Sequence, residues 1–170
     1  MQADTKDKIS AKERFLQGNL HKYIFGASTA VITNLGLISG LYFTPHPKMS
    51  IIGSILVVSL VDNISDTLGI HIYQEAEKFK TREVWISTCT NFFARFVVSL
   101  FFVLFMSVLP LFQAAICSIA FGLVALSLIS YIVAVNKKAN PYYVITEHLV
   151  LATAVIGLSH YLGKLITGWF

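Results

Sequence analysis

The chain has 170 residues, of which 55% are hydrophobic and only 13% charged. With a mean hydropathy of +0.69, this composition excludes an ordinary soluble domain and points to an all-α, polytopic membrane protein. The formal net charge of +4 does not imply nucleic-acid binding, because the basic residues form no continuous stripe and gather instead between apolar runs.

Residues 1–22 form a polar tail of mixed charge, read as cytoplasmic. No small-residue cleavage site follows a short apolar region, so the first span is expected to direct insertion itself. Within the tail, Ser10 to Glu13 has the Ser-x-x-Glu form of a capping box and is followed by Phe15, Leu16 and Leu20. That pattern allows a short amphipathic helix on the membrane surface, with disorder as the alternative. No repeat period or low-complexity tract is present.

The remainder, residues 23–170, reads as one transmembrane domain of five helices. A hydrocarbon core of about 30 Å takes roughly 20 apolar residues in a helix, and five segments approach that length. They are Tyr23 to Phe43, Met49 to Ile72, Trp85 to Leu109, Phe112 to Val135 and Val144 to Trp169. "TPHPK", "QEAEKFKTRE", Pro110 and "NKKANP" separate them. The third division rests on Pro110 alone, yet Ser87 to Val135 is too long to cross once, so a turn is required there.

Lys6, Lys8, Lys12, Arg14 and Lys22 of the tail lie on the same side as Lys78, Lys80, Arg82, Lys137 and Lys138, against only Lys48 and Lys164 on the other. By the positive-inside rule the N-terminus is inside and the C-terminus outside. Trp85, Tyr142, Tyr143 and Trp169 fall near the expected interfaces as aromatic anchors. Cys89 and Cys117 lie in apolar segments with no partner at metal-ligand spacing, which predicts small buried hydrophobes and no disulfide. The Gly36-x-x-x-Gly40 motif of the first span permits close helix approach, within the chain or between chains.

Asp62 and Asp66 pose the main question. A carboxylate in hydrocarbon costs about 2.5 to 3.5 kcal/mol on insertion scales, so it needs a reason. Their i, i+4 spacing puts both on one helix face with Ser59, Gly69, Tyr73 and Glu77, and with Asn63 at its edge. At 1.5 Å per residue, Asp62 lies about 20 Å and Asp66 about 26 Å from the outer start of the second span, and Ser28 and Thr29 of the first span come level with Asp62. Converging carboxylate and hydroxyl oxygens suit hard or borderline divalent cations.

The structural reading runs through Arg95, about 15 Å into the third span and within reach of an aspartate one helix away, with Asn91 one turn earlier on its face. One guanidinium neutralises one carboxylate and leaves the other. A symmetric dimer would then present two unmatched carboxylates for one divalent cation, while protonation is the other route to neutrality. His71, Glu75 and Glu77 are placed at the inner mouth, solvated. Glu147 and His148 read as an interfacial cap, with a proton relay as the second reading. His160 is placed in helix packing, and Lys164 snorkels outward.

"FGASTAVITNLGLISG" (Phe25 to Gly40), "SLVDNISDTLG" (Ser59 to Gly69) and "GLSHYLGKL" (Gly157 to Leu165) together resemble the first, second and closing helices of the vacuolar iron transporter family. The resemblance implies a homodimer whose first two helices line a path that exports ferrous or manganous ions from the cytosol in exchange for protons. It places Thr29 where the family has its first-helix aspartate, Asp66 at its second-helix methionine, and Ile70 at the acid that follows its glycine. Gln74 to Glu83 is too short for the family's cytoplasmic metal-binding helices.

The expectation is therefore a proton-coupled transporter of iron or manganese in a cell or vacuole-like membrane, with no enzymatic chemistry and no prosthetic group. Asp62, Asp66, Asn63, Thr29 and Ser28 would form the metal path; Arg95, Tyr73, Asn91 and Glu147 would support it or relay protons. The competing expectation is a non-transporting scaffold or partner subunit, in which Asp62, Asp66 and Arg95 fix helix packing.

Overall fold

The computed structural model describes residues 24–169, which are helical apart from short turns and contain no strand. Five helices follow one another: α1 (Ile24–Leu41), α2 (Pro47–Ala76), α3 (Thr81–Val108), α4 (Leu111–Asn136) and α5 (Pro141–Trp169). All five are long and apolar enough to cross a membrane, and the chain is read as a multi-pass membrane protein. The expected tail helix at Ser10 to Glu13 lies outside the described residues.

Local chemistry explains where each helix stops. Pro47 and Pro141 occupy first-turn positions, where the missing N–H costs nothing. Pro110 sits at the N-cap of α4 and so divides α3 from α4 as the sequence requires. Asn140 caps α5 by accepting the Tyr142 N–H at 3.0 Å, the usual service of an Asn ahead of a first turn.

The other two turns share one design. Phe79 N–H bonds Gln74 O at 3.1 Å and Lys78 N–H bonds Glu75 O at 3.0 Å, and the same pair recurs as Ala139 to Ala134 and Lys138 to Val135. This is the Schellman pattern, which satisfies the last carbonyls of a helix. Its left-handed residue is normally Gly, but here Lys78 (φ 59) and Lys138 (φ 52) take it. The second connection is consequently only Glu77 to Lys80, and α2 continues to Ala76, further than the expected end at Ile72.

α1 lies at the centre. Asn34 Nδ2 donates to Ser99 Oγ of α3 at 3.0 Å, Leu35 packs on Gly122 of α4, and Gly36 and Gly40 meet Val155 and Ser159 of α5. The Gly36/Gly40 pair therefore serves a contact inside the chain. A Cβ on Gly163 would fall on the Gly40 carbonyl, so α1 and α5 approach nearly backbone to backbone. Small residues permit such contacts where no water-driven hydrophobic force acts between helices.

Around this centre, Val31, Leu35, Ile38, Ile55 and Phe102 form a fully buried apolar core. Much of the remaining interior is polar: Asn34, Asn63, Asn91, Arg95 and Ser118 are at most 2% exposed, while Val61, Phe93, Val124 and Leu158 are at least 60% exposed. Polar groups inside and large apolar groups outside suit a chain whose solvent is lipid. Cys89 and Cys117 follow that outer pattern; both are free and exposed, which corrects their expected burial.

At the end opposite the two Lys turns, Lys48 Nζ donates to Ser107 O and Leu109 O, both at 3.1 Å, tying the start of α2 to the unpaired carbonyls ending α3. There Phe43 meets the ring of His160 edge-on, with centroids 4.7 Å apart.

Gly163→Ala is expected to destabilise the fold by about 1 to 3 kcal/mol through overpacking, whereas Gly157→Ala, with open space at its Cβ, should be near neutral. Reversible unfolding in mixed micelles compares the two; equal effects would contradict the backbone contact.

Candidate functional site

α2 and α3 form an antiparallel hairpin whose seam is apolar at the Lys48 end, through Ile51, Ile55, Phe102 and Met106, and polar from Ser59 and Ser99 toward the Lys78 turn. Ser59, Asn63 and Thr67 recur at i, i+4 spacing on α2, as do Ser87, Asn91, Arg95 and Ser99 on α3, and all are buried. Spacing of four keeps one stripe facing the neighbour over several turns. From the Lys78 turn inward, Gln74 Nε2 donates to Ser87 Oγ at 2.9 Å, His71 Nδ1 meets Thr88 Oγ1 at 3.0 Å, and Asn91 Nδ2 donates to Thr67 Oγ1 at 3.4 Å. These three contacts pin the register of the hairpin.

Next along the seam comes the charge site. Arg95, 1% exposed, donates through Nη2 to Asp62 Oδ2 at 2.6 Å and through Nη1 to Asp66 Oδ2. Two carboxylates one helical turn apart match the two NH2 groups of a planar guanidinium, a match that a lysine ammonium does not offer. The aspartate side chains are 42% and 39% exposed, so each carboxylate has one side on the guanidinium and another on the outside of the chain. The triad carries one unmatched negative charge when both acids are ionised.

α1 closes over Asn91 and the aliphatic stem of Arg95. A Cβ at Gly26 would lie 2.7 Å from Asn91 Oδ1 and 3.1 Å from Arg95 Cγ, so only glycine lets α1 cover this part of α3. Among the described residues Asn63 Nδ2, Asn91 Oδ1 and Arg95 Nε are buried without a protein hydrogen-bond partner. Such atoms are costly in a low-dielectric interior, and they mark this stretch as polar beyond what packing needs.

The other expected site residues disperse. Ser28 and Thr29 each bond the Phe25 carbonyl, at 3.0 and 2.7 Å, and Ser28 lines a separate cavity against α4 and α5; level depth with Asp62 does not bring them together. Tyr73 is 64% exposed. His71 is 13% exposed, further in than its expected solvated place, with Nε2 3.3 Å from the exposed Glu75 and its ring 4.7 Å from that of Trp85. Glu77 is exposed beside the turn, and Glu147 lines the cavity that holds Ser28. Among the described residues no three His, Cys, Asp or Glu side chains converge as a metal site.

Arg95→Leu is expected to destabilise the protein by about 3 to 5 kcal/mol, because it strands two carboxylates. Asp62→Asn and Asp66→Asn should each cost less, about 1 to 3 kcal/mol, since the other carboxylate still balances the guanidinium. Denaturation of the purified variants in micelles gives the order; an arginine variant no worse than either single aspartate variant would contradict it.

The chain matches no family model, no curated protein and no solved structure.

Proposed function

We propose that the chain is a non-transporting membrane scaffold or partner subunit, in which the Asp62–Arg95–Asp66 network sets how α1, α2 and α3 pack. One observation carries this reading: a single buried guanidinium engages both carboxylates. A cation would have to compete with a fixed positive charge already bonded to both acids. Buried ion networks of this kind do little for net stability but penalise every packing that separates the partners, which is what a scaffold that must adopt one arrangement needs. The end bearing Lys78, Lys80, Arg82, Lys137 and Lys138 would face the cytosol.

A second reading has its own support in the unmatched charge and in the outward sides of Asp62 and Asp66. In a two-fold dimer two such charges would attract one divalent cation. The chain would then be a proton-coupled exporter of ferrous or manganous ions, with Arg95 as the countercharge of the empty site and Asn63 beside it.

Thermal unfolding of the purified protein with Mn2+ or Fe2+ separates the two. The scaffold reading predicts no metal-dependent rise in Tm and no uptake into proteoliposomes under a proton gradient. A carrier would gain about 2.7 kcal/mol at a metal concentration of 100 Kd, and that gain would vanish in Asp62→Asn or Asp66→Asn. A metal-dependent rise abolished by either substitution would overturn the scaffold assignment.

A further inference from the structure

A second ionisable cluster lies away from the charge triad. Where α4 ends and α5 begins, α1, α4 and α5 line an open pocket of about 260 Å³. Ile24, Leu126, Ile129 and Val133 supply apolar wall, whereas Ser28, Lys137, Glu147 and His148 supply polar groups. Lys137 is the C-cap residue of α4, and Glu147 lies about 9 Å along α5 from Pro141. Although they share one cavity, Lys137 and Glu147 make no ion pair with each other. Opposite charges that face a common space without closing on one another leave room for a guest carrying both signs.

His148 bonds Ser130 of α4. Ser130 Oγ, 1% exposed as a residue, donates its one hydrogen to Leu126 O at 2.7 Å. With that hydrogen on Leu126 O, the 3.0 Å contact with His148 Nδ1 is donated by the ring in its Nδ1–H tautomer, which leaves Nε2 an acceptor. The cavity thus presents a cation at Lys137, an anion at Glu147 and an imidazole lone pair at His148. The combination accepts a primary ammonium, whose N–H groups have two acceptors to reach, together with an anion for Lys137.

We propose that this cavity binds a phosphoethanolamine group, with the phosphate on Lys137 and the primary ammonium on Glu147 and His148 Nε2. A phospholipid head entering from the bilayer, its chains against the apolar wall, and free phosphoethanolamine share this chemistry. A choline head keeps both charges but has no N–H to donate, and a glycerol head has no cation for Glu147, so both bind more weakly.

The test is native mass spectrometry of the delipidated full chain titrated with phosphatidylethanolamine, phosphatidylcholine or phosphatidylglycerol of matched acyl chains, with phosphoethanolamine as a parallel arm. Phosphatidylethanolamine should bind at least tenfold more tightly than the other two lipids. Lys137→Gln and Glu147→Gln, both at exposed positions, should each lower that affinity about tenfold, and Glu147→Gln should also erase the preference over choline. Tight binding of phosphoethanolamine alone keeps the site and makes its ligand soluble. Equal affinity for the three lipids without binding of phosphoethanolamine, or selectivity unchanged in both variants, would overturn the proposal.

Discussion

The fold is organised by one buried guanidinium. Arg95 sits in an interior that holds no other described cation, and its two NH2 groups each take one of the two α2 carboxylates. The guanidinium is tolerable there only with its carboxylate partners, because a buried charge left alone faces a desolvation cost of several kcal/mol. This condition fixes the rotation of α2 and α3 about their axes and their offset along the seam. Gly26 lets α1 pack on Asn91 and the Arg95 stem beside it.

From that point the hairpin is zipped toward the Lys78 turn by hydrogen bonds between small polar side chains, each contributing on the order of 0.6 kcal/mol in a membrane. Asn34 to Ser99 extends the polar contacts to α1. α1 then joins the hairpin to α4 and α5 through glycines, a different kind of adhesion in which close backbone approach replaces side-chain burial. α5 is the lightest member of the bundle, with 6% of its most apolar window buried, and it is held through Ala152, the Gly40–Gly163 approach and the His148–Ser130 bond. The triad on the hairpin and the Lys137/Glu147/His148 pocket beside α1 are separate ionisable clusters.

The five helices and their four breaks are legible in the sequence because length, hydropathy, Pro110 and the Lys-rich turns each leave a strong local mark. The end of α2 is not: a Schellman turn is ordinarily announced by Gly, and Lys78 occupies the left-handed position here. Contact between an aspartate and Arg95 follows from depth along the helices, and double engagement follows from i, i+4 spacing once α3 is placed opposite. Depth fails for Ser28 and Thr29, since the rise per residue gives height but not azimuth, and Ser28 turns toward α4 and α5. The expected burial of the free cysteines follows from a rule for water-soluble interiors, which lipid reverses. The polar ladder of Ser87, Asn91, Arg95 and Ser99 was open to view in its spacing of four, though its partners on α2 required the register.

The most direct measurement of the shared-guanidinium account is a thermodynamic cycle of unfolding that includes a variant with all three charges removed, Asp62→Asn, Asp66→Asn and Arg95→Gln. If the residues act as one unit, the triple variant will be more stable than either Arg95→Gln alone or the double aspartate variant, recovering at least about 2 kcal/mol of the loss. Losses that add, leaving the triple variant the least stable of the set, would contradict it.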